Sequence, residues 1–256
     1  MAKNPFDLHG KAALVTGGNG GIGLGMARAL AEAGADVAIL GRNGEKNKAA
    51  EKELAALGGR VLALACDVSD ENQVEAAFAE AVRTLGRVDA CFANAGIPAM
   101  GTRFHEMSAA EWRHVFSVNM EGVFFTFRAA VRHMLSREGG GSLVATSSIS
   151  SMSGMPRGEH YAATKGGLLS MIRGLSVEYA KNGIRANAVV PGWIETQMTE
   201  PLFAWDRFRD KVLPRIPAGR WGAPEDFGAI AVYFASDASA YHTGDVVVID
   251  GSYINF

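Results

Sequence analysis

The chain has 256 residues, 48% hydrophobic and 20% charged, ample for a buried core and unlike a disordered sequence. Its 25 Lys and Arg against 27 Asp and Glu give a net charge of -2, which leaves no basic footprint for nucleic acid and no polybasic surface for anionic lipid. No stretch approaches the ~18 apolar residues of a membrane span, and residues 1–7 lack the apolar core of a signal peptide, so the cytoplasm is the expected compartment.

In chain order, short aliphatic runs at 12–16, 36–40, 61–65, 88–93, 142–146, 185–190 and 246–249 read as strands. They are nearly continuous in apolar character, the pattern of strands covered on both faces. Segments at 22–33, 45–57, 71–85, 110–137, 161–181 and 224–235 repeat with the 3.6-residue period of helices. Gly34, Gly86 and Gly183 follow three of these as stop signals, and Ser69-Asp70 precede the third as a start signal. Strand alternating with helix predicts a parallel sheet with helices on both faces, a three-layer α/β/α arrangement. No repeat, low-complexity tract or linker marks a second domain, so residues 1–256 read as one. Residues 191–224 stand apart, with five of the eight prolines and three of the four tryptophans. Such a connection reads as a lid or binding loop, or else as a surface excursion with its own small hydrophobic cluster.

Cys66 and Cys91 lie inside apolar runs and read as buried thiols of a reducing compartment. The six histidines show no metal-ligand spacing, and neither a Gly-x-Ser-x-Gly elbow nor a His-Glu-x-x-His helix is present, so no metal site is expected.

The turn Thr16-Gly17-Gly18-Asn19-Gly20-Gly21-Ile22-Gly23 follows the first strand and opens the first helix. Gly17, Gly21 and Gly23 permit a tight turn, close approach to a pyrophosphate and close helix–sheet packing, and the helix N-terminus offers free N–H groups to phosphate. This predicts dinucleotide binding. An NAD site would carry an acidic residue at the end of the second strand, whereas this chain reads Ile39-Leu40-Gly41-Arg42-Asn43. No carboxylate repels a 2′-phosphate there and Arg42 can pair with one, so NADP(H) is the preferred cofactor, with NAD(H) possible.

Tyr161 and Lys165 stand four residues apart at the start of a helix and share a face. A lysine ammonium held near the phenol is expected to draw its pKa down from about 10 toward the range useful for acid–base catalysis. Ser148 lies thirteen residues upstream of Tyr161, just beyond the fifth strand, at the end of a parallel sheet where ligands bind.

The Thr-Gly-(three residues)-Gly-x-Gly turn with Ser148, Tyr161 and Lys165 resembles the short-chain dehydrogenase/reductase family, and the resemblance runs from about Lys11 to Gly251. Asn119 matches the family's active-site asparagine, and Asn94-Ala95-Gly96 its Asn-Ala-Gly signature. Asp67, with Val68, matches its adenine-side aspartate, while Pro191-Gly192 and Thr196 match the segment that holds the nicotinamide carboxamide. One departure is Ala93, where the family usually has a second asparagine. The resemblance implies a Rossmann-type doubly wound sheet and an NADP-dependent oxidoreductase acting on CH–OH groups, a ketoreductase or alcohol dehydrogenase with Tyr161 as general acid–base. Ser148 would join Tyr161 on the substrate oxygen, Lys165 would order the nicotinamide ribose, and Asn119 would keep a water-linked proton path to Lys165. Gly17, Asn19, Gly21, Ile22, Gly23, Arg42, Asp67, Val68, Asn94, Ala95, Gly96, Tyr161, Lys165, Pro191, Gly192 and Thr196 would contact the cofactor.

The substrate is expected to be a small carbonyl compound or alcohol held by residues 97–107, 149–160 and 191–224. Met152, Met155, Trp193 and Phe203 suggest an apolar wall, and Arg103, Arg157 and Glu159 a means of orienting a polar group. His160 reads as a partly exposed helix-entry residue, with contact to substrate as the alternative. Three alternatives stand beside this reading: a 3-oxoacyl-thioester reductase, a non-catalytic NADP-sensing protein, and an isomerase or enoyl reductase using the same site. Apolar residues on the helices from Ala110 and Tyr161, together with the resemblance, lead to the expectation of a homotetramer.

Overall fold

In the computed structural model, which describes residues 4–98 and 101–256, seven strands form one parallel sheet. They are β1 (Ala12–Thr16), β2 (Asp36–Gly41), β3 (Val61–Ala65), β4 (Ala90–Ala93), β5 (Gly141–Thr146), β6 (Ile184–Pro191) and β7 (Val246–Ile249). Their order across the sheet is β3-β2-β1-β4-β5-β6-β7. The succession reverses direction between β1 and β4, the place where a doubly wound sheet opens a crevice beyond its strand ends.

Helices α1 (Gly21–Glu32), α2 (Gly44–Ala55) and α9 (Gly228–Ala235) cover one face. There Met26, Leu30, Leu54 and Phe234 pack on Val15 and Ile39. Helices α3 (Glu71–Leu85), α5 (Gly122–Leu135) and α6 (Glu159–Tyr179) cover the other, placing Val74, Phe78, Phe127 and Leu168 against Leu14, Cys91 and Leu143. Each such side chain contributes about 1.5–3 kcal/mol over leaving it exposed. Asp70 caps α3 by accepting from Asn72 N and Gln73 N, and Gly86 ends it at φ 84°.

Three expectations need correction. The fourth strand begins at Ala90 rather than residue 88; just ahead of it the Asp89 carboxylate accepts from Ala12 N at 3.0 Å and from Arg87 and Arg137. The helix expected over 110–137 is divided: α4 (Ala109–Phe116) passes through a π turn at Ser117–Glu121 before α5. The 191–224 connection is partly ordered into α7 (Glu200–Phe203) and α8 (Asp206–Val212). Within it Phe203 stacks on Trp221 at 4.1 Å between centroids, and Trp193 meets Phe208 edge-on at 5.0 Å. Among the described residues, no helix is long and apolar enough to cross a membrane.

Candidate active site

At the switch point between β1 and β4, the chain leaves β1 through the glycine turn. Gly17 sits at φ 66° and Gly21 at φ 52°, where a side chain would be strained. A Cβ on Gly23 would lie 2.3 Å from Gly17 O, so α1 can approach the turn this closely only with glycine there. No side chain caps α1, and its first turn holds no acidic residue. Its leading N–H groups are therefore available to an anion. Asn94 and Ala95, beyond β4, both donate backbone N–H groups to Thr16 Oγ1 at 3.0 Å, and Asn94 Nδ2 donates to Thr16 O at 3.1 Å. These bonds join the two strand ends that flank the crevice. Ala93, the departure from the family pattern, is buried as the last residue of β4.

The crevice is a cleft of about 430 Å³. Of the sequence-predicted residues, Gly17, Asn19, Gly21, Ile22, Arg42, Asp67, Val68, Asn94, Ala95, Gly96, Ser148, Tyr161, Lys165, Pro191, Gly192 and Thr196 line it. Gly23 and Asn119 stand behind the lining and act on it through neighbours. Ile97, Gln197 and Met198, within the expected contact segments 97–107 and 191–224, also line the cleft, as does Lys46, which was not read from the sequence. Only the period of a helix bore on Lys46 there, and a helical period does not place a residue on a rim.

At the inner end, Ser148 caps a single turn after β5, its Oγ accepting from Ser150 N at 3.2 Å, and its hydroxyl acts on the Tyr161 phenol. Ser147 Oγ donates to Lys165 O at 2.8 Å and pins α6 to β5. Lys165 is 4% exposed, and its Nζ donates to Thr146 O at 2.8 Å. Burial lowers its pKa to about 8. The expected depression of the tyrosine by the lysine is not what the geometry gives. Burial pushes the Tyr161 phenol up, and the Ser148 hydroxyl draws it only part of the way back. Lys165 Nζ stands 5.7 Å from the centre of the phenol ring and is itself poorly solvated. Desolvation thus dominates, and the arrangement favours a neutral phenol able to donate its proton.

Asn119 lies within the π turn and is completely buried. Its Oδ1 accepts from Ile97 N at 2.8 Å and its Nδ2 donates to Ile97 O at 3.0 Å. A Cβ on Gly96 would lie 3.2 Å from Asn119 Oδ1 and 3.5 Å from Lys165 Nζ, so these two groups meet across a bare glycine. The amide's bonds hold the wall of the cleft at Ile97 and do not run to Lys165. A π turn suits this purpose because it offsets one residue from the helical face.

At the outer end, Arg42 Nη1 lies 3.9 Å from Asp67 Oδ2. Partial burial of Asp67 raises its pKa, but the Ser69 hydroxyl and N–H and then Arg42 outweigh this and hold it below the ordinary range. Cys66, beside it, is pushed up to about 11 by burial first and by Asp67 and Asp70 next. Both cysteines are free and buried, as expected. No group of side chains able to hold a metal exists among the described residues.

Other expected substrate contacts are rearranged. Trp193 and Phe203 serve the aromatic cluster within the 191–224 connection, and Met198 faces the cleft instead. The connection is thus both a cluster of its own and a border of the cleft. His160 is 5% exposed rather than partly open. Arg157 takes a left-handed backbone at φ 63°, its carbonyl accepting from Gly101 N at 3.2 Å. Residues 99 and 100 of the expected 97–107 contact segment lie outside the described residues.

A dinucleotide fits these residues: uncapped α1 N–H groups beside bare glycines for the pyrophosphate, Arg42 and Asp67 for the adenosine end, and Lys165 with donors to spare at the other. Comparison with known proteins agrees. A family model described as enoyl-(acyl carrier protein) reductase matches residues 17–253. The chain is 39% identical to a 2-dehydro-3-deoxy-D-gluconate 5-dehydrogenase of Dickeya dadantii, covering 99% of both chains. It is 36% identical to a 3-oxoacyl-[acyl-carrier-protein] reductase of Chlamydia pneumoniae over 95% of this chain and 97% of that one. A crystal structure of a gluconate 5-dehydrogenase from Burkholderia cenocepacia, in complex with NADP and tartrate, superposes with a TM-score of 0.92 at 35% identity, covering 98% of each chain. Matches of that extent, over the same sheet and the same crevice, mean that this chain belongs to the short-chain dehydrogenase/reductase family of nicotinamide-dependent oxidoreductases.

Proposed function

We propose that the chain is an NADP-preferring enzyme that interconverts a secondary alcohol and a ketone on a polyhydroxy carboxylate of the sugar-acid type, with Tyr161 as the proton donor and acceptor. The observation that carries this is the Tyr161 phenol beside Ser148, whose hydroxyl lowers the phenol's pKa, with the buried Lys165 ammonium 5.7 Å from the ring centre. When bound, the nicotinamide supplies or accepts the hydride. The chain's own residues manage the oxygen and its proton. Ser148 and Tyr161 donate hydrogen bonds to the substrate oxygen, where negative charge develops on reduction. Tyr161 then releases its proton to that oxygen, and the nearby ammonium of Lys165 stabilises the phenolate left behind. Its remaining N–H groups also suit ribose hydroxyls. Asn119 keeps Ile97 in place as one wall of the site.

The sugar-acid class is supported by the gluconate-type relatives. The 3-oxoacyl-thioester alternative has support of its own in the 36% identical reductase. The presence of Ser148, Tyr161, Lys165 and Asn119 together argues against a sensor without turnover. NADP preference is supported by Arg42 on the cleft rim and by the absence of a carboxylate at the end of β2. Residues 191–224 would act as the lid, the enzyme as a homotetramer, and the cytoplasm as the compartment, with two unpaired buried thiols favouring a reducing one.

NADPH consumption measured over a panel of 5-keto sugar acids, neutral ketoses and 3-oxoacyl thioesters tests the substrate class, and the sugar acids should give the highest kcat/KM. Tyr161→Phe should lower turnover by about 10²–10⁴-fold while leaving the Kd for NADP(H) unchanged. Wild-type turnover in that variant would refute the assignment.

A further inference from the structure

The two rims of the cleft come from residues 151 positions apart in sequence. One rim is the first turn of α2, where Lys46 N donates to Asn43 Oδ1 at 3.0 Å, so the base of the Lys46 side chain is fixed by the helix cap. The other is the root of the 191–224 connection. There Thr199 Oγ1 donates to Ile194 O at 2.5 Å and accepts from Thr196 N at 3.0 Å, which makes the root a closed turn. Lys46 Nζ donates to Gln197 Oε1 across the gap, and both side chains line the cleft. The root also presses on the glycine turn, since a Cβ on Gly21 would lie 3.1 Å from Thr196 Cγ2.

We propose that Lys46 and Gln197 are positioning residues that form a bar over the phosphate groove and retain the dinucleotide. The inference rests on the dinucleotide-binding reading above. A ligand reaching from Arg42 and Asp67 to Tyr161 must pass the glycine turn, and the root of the connection closes the same passage from the other side. Holding two long exposed side chains in one arrangement costs conformational entropy and adds little to the stability of the fold. A bond of this kind matters for what it encloses. The ammonium uses one N–H on Gln197 and keeps two for phosphate oxygens, so the bar is compatible with a loaded groove. For the ligand to leave, the bar must open, so the bond should appear in the rate of release.

Stopped-flow displacement of bound NADPH and NADH, followed by cofactor fluorescence, tests this in the full chain. Lys46→Met keeps the length of the side chain and removes its charge, while Gln197→Ala removes the acceptor and leaves the charge. Each should speed NADPH release by about 3- to 10-fold, the size of one typical net hydrogen bond in a solvated setting. The double variant should release no faster than the faster single variant, because both changes break the same bond. Dinucleotide KM should rise with little loss of kcat, and melting temperatures should match wild type. Unchanged release in Gln197→Ala, or effects that multiply in the double variant, would overturn the proposal while leaving the dinucleotide assignment intact. A wild-type protein that bound neither dinucleotide would overturn both.

Discussion

An ammonium that is 4% exposed and has a single carbonyl partner raises the free energy of the folded chain. The proposed chemistry requires Lys165, and the fold tolerates it. Burial lowers its pKa to about 8 from an ordinary 10.5, so between these values the unfolded chain binds more protons than the folded one. Stability should therefore rise with pH from about 8 to 10.5, and the full penalty should apply below 8. Reduction should follow the opposite course and fall above about 8, as the ammonium beside Tyr161 loses its proton. Lys165→Met separates the two effects. Its melting temperature at neutral pH should equal or exceed that of wild type, its stability should flatten across that window, and its turnover should collapse. A variant that melts well below wild type would show the ammonium to be structurally required. Arg42 invites a test of selectivity at the same scale. Its side chain is 61% exposed and its contact with Asp67 is long at 3.9 Å, so little of the fold depends on it. Arg42→Ala should weaken NADP(H) binding by about 1.5–3 kcal/mol in calorimetry, with NAD(H) nearly unaffected. Equal losses for both would refute the 2′-phosphate role.

Among the elements, the π turn between α4 and α5 shows what periodicity conceals. The apolar pattern of residues 110–137 continues through it, and so the sequence reads as one helix. What displaces a turn there is the pair of bonds from Asn119 to the backbone of Ile97, a partner 22 residues away. Asn119→Ala leaves a buried N–H and C=O unpaired, which should cost about 1–3 kcal/mol in denaturant unfolding. It should also raise substrate KM more than cofactor Kd, since Ile97 borders the catalytic end. A variant with native stability would mean that water replaces both bonds. The strands were legible because parallel strands buried on both faces must be apolar throughout, and the Tyr161–Lys165 face because four residues make one helical turn. The glycine turn was legible because Gly23 stands where a Cβ would strike Gly17 O. The direction of the tyrosine shift was not, since it depends on how far the surrounding chain excludes water. Nor was the Lys46–Gln197 bar, whose partners meet only after the long connection has folded back upon itself.

For the whole molecule, the sheet ends in β7, whose outer edge has no neighbouring strand among the described residues. Val248 on this strand is 36% exposed, and Phe256 just beyond it is 73% exposed. An apolar open edge is a surface that chains tend to cover. A second set of exposed apolar side chains lies elsewhere, with Phe124 on α5 at 44% and Val177 on α6 at 80%. Two distinct sticky regions on one chain can each pair with themselves across a two-fold axis, and two such axes close a tetramer of dihedral symmetry. Light scattering on a size-exclusion column should then give the mass of four chains of 27.1 kDa. Val248→Lys places a charge on the edge and should disable one interface only, halving the mass to that of a dimer while circular dichroism and NADP(H) binding remain native. A monomeric wild type would refute the assembly, and a variant that stayed tetrameric would move the second interface away from β7. Because the catalytic cleft opens at the carboxyl ends of the strands and not along this edge, a dimer should retain turnover per chain. Loss of turnover together with mass would instead show that the β7 interface supports the site across the subunit boundary.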